Sequence, residues 1–111
     1  MANTFFRKSQ AAVGTANVVV GSYTVGANTK TVVLGLGVSN TTGSAIAVDV
    51  FVNDSTNSSY YLVKSAPVAA GGALVVIGGD QKLVLQAGDN VKVKSDTLSS
   101  ADVNMSIMEI T

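Results

Sequence analysis

Apolar residues in this chain recur at every second position, and no stretch shows the three- and four-residue spacing of an amphipathic helix. From 31 to 39, Val32, Leu34, Leu36 and Val38 fall on one face, and Thr31, Val33, Gly35, Gly37 and Ser39 on the other. From 45 to 53, Ile46, Val48, Val50 and Val52 alternate with Ala45, Ala47, Asp49, Phe51 and Asn53. Val91 and Val93 alternate with Lys92 and Lys94, which face water. Near the end, Val103, Met105 and Ile107 share one face, with Met108 and Ile110 on the other. A period of two is the pleat of a β-strand. Composition agrees: Val, Thr and Ile make up 33 of the 111 residues. Their branched side chains are stiff at χ1 and pack well on a pleated surface.

The breaks between these segments are turn signals. Asn40 to Ser44 reads as a turn with Gly43 free to take positive φ, which makes 31–39 and 45–53 a hairpin with one apolar face in the core. Residues 54–59 are a polar loop before a strand at 60–64. Pro67, which cannot donate to a ladder, makes 66–72 a crossing loop or an edge. The continuous apolar run 73–77 predicts a strand buried on both faces. Turns at 78–81 and 86–90 flank a strand at 82–85. Upstream, Gly21 separates 17–20 from 22–25 as a bulge or tight bend. Bare Gly35 and Gly37 invite a second backbone or a large side chain against their face. About eight short strands at this spacing predict an all-β fold, an antiparallel β-sandwich of jelly-roll or immunoglobulin-like type. One domain over 13–111 suits the length. Residues 1–12 differ in character and form either an N-terminal arm or an edge strand.

The residue types that are missing narrow the chemistry. The chain has no His, Cys or Trp. It therefore has no thiolate nucleophile, imidazole base, disulfide framework or cysteine zinc site. Seven basic and seven acidic side chains give a net charge of zero, where a nucleic-acid binder needs a basic face. No signal peptide or membrane span is legible, and the four Asn-x-Ser/Thr patterns at Asn40, Asn53, Asn57 and Asn104 are expected to be chance matches. Most acids, including Asp54, Asp80 and Asp89, sit in turns where Asp caps its own backbone. Asp49, in mid-strand, is expected to face solvent beside Phe51 or to pair with a Lys across the strand. Residues 53–57 offer oxygens but lack the spaced carboxylates of a calcium loop. Gly71-Gly72 and Gly78-Gly79 lack the Lys-Ser/Thr and helix of a phosphate loop. The expectation is no enzyme, no metal and no cofactor.

Interaction candidates remain. Phe5, Phe6, Arg7 and Lys8 combine two aromatics with the chain's one adjacent basic pair, and aromatic and Arg side chains dominate interface hot spots. As an edge strand this segment would bury one Phe; as an arm it would anchor on a neighbour. Tyr60 and Tyr61 are a possible sugar-stacking platform, although strand alternation sends one to the core and the other to the surface.

One longer pattern stands out in the carboxy-terminal half. Lys64-Ser65-Ala66-Pro67-Val68 runs into Gly71-Gly72; Leu83-Val84-Leu85 then leads to Ala87-Gly88-Asp89-Asn90-Val91-Lys92-Val93, and a short apolar strand ends the chain. Together with Tyr23-Thr24-Val25 and Val38-Ser39-Asn40-Thr41, this resembles small β-sandwich virion structural proteins of tailed bacteriophages, over roughly residues 20–110. The resemblance implies a structural role. The leading reading is a capsid decoration (cement) protein that bridges neighbouring capsid subunits; neck, tail, baseplate or fibre subunits are the alternative. It implies other virion proteins as partners, the major capsid protein or tail and neck proteins. It also implies a homo-oligomer such as a trimer, and a virion location after synthesis in the host cytoplasm. No nucleic-acid or membrane partner is expected. Outside that resemblance, a glycan or host-surface binding module built on the 53–61 loop and an exposed tyrosine is a third reading.

Overall fold

A computed structural model describes residues 3–78 and 81–111. Met1 and Ala2 of the expected arm, and Gly79 and Asp80 of the expected 78–81 turn, lie outside the described residues. The chain forms nine strands: β1 Asn3–Val13, β2 Val18–Thr24, β3 Lys30–Asn40, β4 Ile46–Asn53, β5 Ser59–Val68, β6 Ala73–Ile77, β7 Leu83–Leu85, β8 Asn90–Ser95 and β9 Ala101–Ile110. They build two antiparallel sheets. The first runs β1-β9-β3-β6, with β7 pairing the same flank of β3 that β6 uses farther along; the second runs β2-β8-β4-β5. With β6 and β7 sharing one place, each sheet is four strands wide. The chain crosses between sheets at β1–β2, β2–β3, β3–β4, β5–β6, β7–β8 and β8–β9. Of the two sandwich types expected, this order is the jelly roll.

The core lies between the sheets. Val20, Val48, Val50, Val91 and Val93 from one sheet meet Val33, Leu36, Val38, Leu85, Val103, Met105 and Ile107 from the other. Val91 and Val93 face in, and Val103, Met105 and Ile107 share the inner face, as the alternation requires. The core is aliphatic because the chain has only six aromatic residues and four of them, Phe5, Phe6, Tyr60 and Tyr61, are exposed. Tyr23 is the one aromatic residue in it.

Several local expectations fail for long-range reasons. β3 and β4 do not form a hairpin. Their apolar faces look at each other across the core, so residues 41–45 arch from one sheet to the other. Buried Asn40 holds the arch: its amide donates to the carbonyls of Ser44 (2.8 Å), Val68 (3.1 Å) and Ala69 (3.2 Å), and its Oδ1 accepts the Thr42 N–H and hydroxyl. β3 also changes phase. A register shift between Val33 and Gly35 buries Thr31 and Val33 before it and Leu36 and Val38 after it, which turns Val32 and Leu34 outward. Run 73–77 is not buried on both faces. It flanks the sheet, and Val75 is 72% exposed, because a continuous apolar run has no phase to read. The strand begun at 60 does not end at 64 but continues through Pro67 to Val68, the edge rather than the crossing loop of the two readings. It can do so because it is the outer edge of its sheet, where a missing N–H costs no ladder bond. The bulge expected at Gly21 is present, with Gly21 at φ 60° and Ser22 at φ 54°.

Candidate interaction surfaces

The first candidate segment is an edge strand rather than a detached arm. β1 pairs with β9 residue by residue from Asn3↔Ile110 to Gln10↔Val103. Phe6, Lys8 and Gln10 share the inward parity, and Phe5 and Arg7 the outward one. Both phenylalanines are exposed; the inner one lacks cover because only short β2 stands opposite. Lys8 is held over its own subunit. Its Nζ sits 5.2 Å from the Phe6 ring centroid and 5.3 Å from that of Tyr23, and its Cβ lies where a side chain at Gly21 would be.

Phe5, 68% exposed, begins a row that alternation alone does not reveal. It stands opposite Met108, Met108 opposite Val32, and Val32 opposite Val84, which is 58% exposed. Residues in register on antiparallel strands share a face. The four side chains therefore form an apolar line across β1, β9, β3 and β7 on the outer face of the first sheet. The phase change in β3 is what puts Val32 there. Beside this line the middle of the same face carries only small residues, because Gly35 and Gly37 pair with Ser106 and Asn104, while Arg7 stands opposite Ser106 and Val75 opposite Gly37 at its flanks. The backbone expected against these glycines arrives sideways: a Cβ on Gly35 would sit 3.7 Å from the Ile77 carbonyl oxygen.

Tyr60 and Tyr61 lie on the opposite flank, on β5, so the two predicted groups are not brought together. Both are exposed, 61% and 48%, against the expectation of one core residue. Tyr60 has the inward parity of its neighbour Val52, but the first sheet on this flank consists only of the five-residue β6 and three-residue β7. Tyr61 stacks on Phe51 with centroids 4.9 Å apart, and Lys64 Nζ stands 4.5 Å over the Tyr61 ring. This contact buries Phe51 on the outer face of β4.

Acids among the described residues have structural partners. Asp54 Oδ1 accepts the Thr56 hydroxyl at 2.7 Å and the backbone N–H groups of Thr56 and Ser58, closing the loop on itself. The Thr56 hydroxyl bond, foremost, and the Ser58 amide hold its carboxyl below the ordinary aspartate range. Asp49 lies across from Lys94 in register and accepts the Ser65 N–H at 2.7 Å, capping a bulge of β5 in a small cleft with Ser65, Lys94 and Asp96. No cluster of three metal-ligating side chains occurs among the described residues.

One polar group was missed in the sequence. Tyr23 of β2 reaches across the core to the first sheet. Its hydroxyl donates to Glu109 at 2.6 Å and lies 2.7 Å from the Thr31 hydroxyl, itself wholly buried. Burial, foremost, and then the Glu109 bond push the Tyr23 phenol up to about 12. The available signal was parity: Glu109 continues the inward series Val103, Met105, Ile107.

No protein-family model matches this sequence, and no curated protein matches it. The fold itself has solved counterparts. The nucleoplasmin-like N-terminal domain of Drosophila FKBP39 is similar at a TM-score of 0.50 and 11% identity, over 98% of this chain and 91% of that one. The VP2 subviral particle of infectious bursal disease virus is similar at a TM-score of 0.56 and 7% identity, over 96% of this chain. This chain spans only 32% of the VP2 chain. At such identities the likeness is one of fold.

Proposed function

We propose that this protein is a non-enzymatic structural subunit of a bacteriophage virion, and specifically a capsid decoration protein that bridges neighbouring capsid subunits. The observation that carries the reading is the outward apolar line Phe5–Met108–Val32–Val84, laid on a rigid sheet beside the small residues Gly35, Gly37, Asn104 and Ser106. An exposed apolar patch on a small domain marks a contact site. Here it is built on strands rather than loops, so little chain entropy is lost when it docks. The lack of reactive side chains, the balanced charge and the VP2 fold likeness all suit a passive part made in many copies.

The test is particle binding. Wild-type protein should co-sediment with particles at a copy number comparable to that of the capsid protein. Phe5→Asp with Val84→Asp should abolish occupancy while leaving the circular dichroism spectrum and melting curve unchanged. A tail-level copy number would replace the capsid assignment with the neck or tail alternative, and unchanged occupancy of the double variant would sink the surface assignment. A second reading, a glycan-binding module, is favoured by one feature: two exposed tyrosines with Lys64 over one ring. A glycan array silent for wild type, or hits that survive Tyr60→Ala with Tyr61→Ala, would remove it.

A further inference from the structure

The four outer edges of this sandwich are not alike. An exposed strand edge is a template for pairing with another chain, and proteins blunt such edges with short strands, bulges, proline and charge. Three edges here carry those devices. β5 is interrupted by the positive-φ Ser65, two register shifts and Pro67. β2 is broken by left-handed Gly21 and Ser22. β6 and β7 are only five and three residues long. β1 has no break, bulge or proline from Asn3 to Gln10, and charge is the one device it carries. It ties with β3 as the longest strand, holds register with β9 through those eight residues and contains no proline. Of its two cations, Lys8 folds back over Phe6 and Tyr23 of its own subunit, leaving Arg7 on the outward face.

We infer that β1 is a self-pairing edge: two copies of this chain join β1 to β1 in antiparallel register about a two-fold axis, extending the first sheet across the dimer. The sequence of the strand also selects the register. In a regular antiparallel pair facing residues share a face, so the axis must pass through a residue. An axis at Arg7 sets Arg7 against itself, and one at Lys8 sets Lys8 against itself, with no acid anywhere in the strand to offset either. An axis at Phe5 leaves a shorter ladder among the described residues. An axis at Phe6 pairs Phe6 with its own copy, Thr4 with Lys8 and Asn3 with Ser9. It also lays Arg7 of each chain against Phe5 of the other, a cation against an aromatic face. The two-fold closes the association at a dimer instead of propagating a fibre. This contact does not depend on the virion role and leaves the Met108–Val32–Val84 surface free for another partner.

The native chain has no cysteine, so single-cysteine chemistry reads the register directly. Identical residues at the axis have Cα atoms about 4.5–5.5 Å apart, within disulfide range. The expected results are a dimeric native mass at micromolar concentration and near-complete oxidation of Phe6→Cys to a covalent dimer. Val84→Cys, on the far strand of the same face, should remain uncrosslinked. Phe5→Cys and Arg7→Cys should each resist crosslinking alone but link to one another when co-expressed. These sites are exposed strand positions, and circular dichroism confirms folding of each variant. A monomeric mass, or a dimer in which Phe6→Cys links no faster than Val84→Cys, overturns the proposal. Crosslinking of Phe5→Cys or Arg7→Cys alone overturns the register.

Discussion

Replacing Tyr23 with Phe removes one oxygen and nothing else from the core, which makes it a sharp probe of how the two sheets are tied. That oxygen gives its hydrogen to Glu109, so the Thr31 hydroxyl must donate to it in turn. A buried neutral hydrogen bond contributes about 1 kcal/mol and one to a charged group about 1.5–3 kcal/mol, so the substitution should cost about 3 kcal/mol. Against a total of roughly 5–15 kcal/mol this is large. For a domain of this size it lowers Tm by roughly 10–15 °C. Urea unfolding followed by far-ultraviolet circular dichroism measures it, with an unchanged slope showing that the compactness of the end states has not moved. The alkaline limb supplies a second reading. The folded phenol titrates near 12 and the unfolded one near 10. Below pH 10 both states hold the proton and the contribution is fully present. Between 10 and 12 the unfolded state loses its proton first, and stability falls by on the order of 2 kcal/mol. The wild type should show this loss in excess of Tyr23→Phe. A variant within about 0.5 kcal/mol of wild type, or one with the same alkaline limb, would refute the cross-sheet tie.

Other outcomes follow from single contacts. Asn40→Asp keeps the shape but replaces a donor to three carbonyls with an acceptor, and should cost about 3 kcal/mol or more, measured by denaturant unfolding; wild-type stability would deny the arch its role. Gly88→Ala puts a Cβ 2.7 Å from that of Ser55 at φ 88°, so a loss of about 1–3 kcal/mol is expected, and Ser55→Gly in the same chain should recover part of it by relieving the clash but not the strain. Leu36→Ala opens a cavity in the core and should cost about 2–5 kcal/mol by the same assay. Asp54 titrates below its ordinary 3.8, so its hold on the 54–58 loop is present above that pH and lost as pH falls through the lower folded value. The protection factor of the Ser58 amide, its exchange relative to the intrinsic rate at the same pH, should fall on acidification, and Asp54→Ala should give the low factor at every pH.

How far the sequence carried depended on how local each feature was. Strand β8 was legible in place and phase, one residue short at each end, because Val91, Lys92, Val93 and Lys94 lie in one unbroken strand and alternation needs no partner to be read. Strand β3 was legible as a strand but not in phase, because the shift at Gly35 is set by its pairing with β9 and leaves no mark in the apolar pattern. The aromatic candidates on β1 and β5 were found from residue type, yet their exposure was misjudged. Whether Phe6 or Tyr60 is covered depends on the length of a strand in the other sheet. The line from Phe5 to Val84 was out of reach, since it joins four strands from both ends of the chain, and so was Tyr23 with Glu109, 86 positions apart.

The sequence by itself determined that this chain is β throughout, that its core is aliphatic, and which side-chain chemistries it has to offer. Those properties belong to single residues and their immediate neighbours. The tertiary structure alone decided that the sandwich is a jelly roll, which faces are covered, and that β1 is the longest edge strand. The physical reason is that pairing order, bulge phase and burial are relations between distant strands. They are fixed by which apolar faces close on one another, and the 3.3–3.4 Å rise along any one strand does not record them.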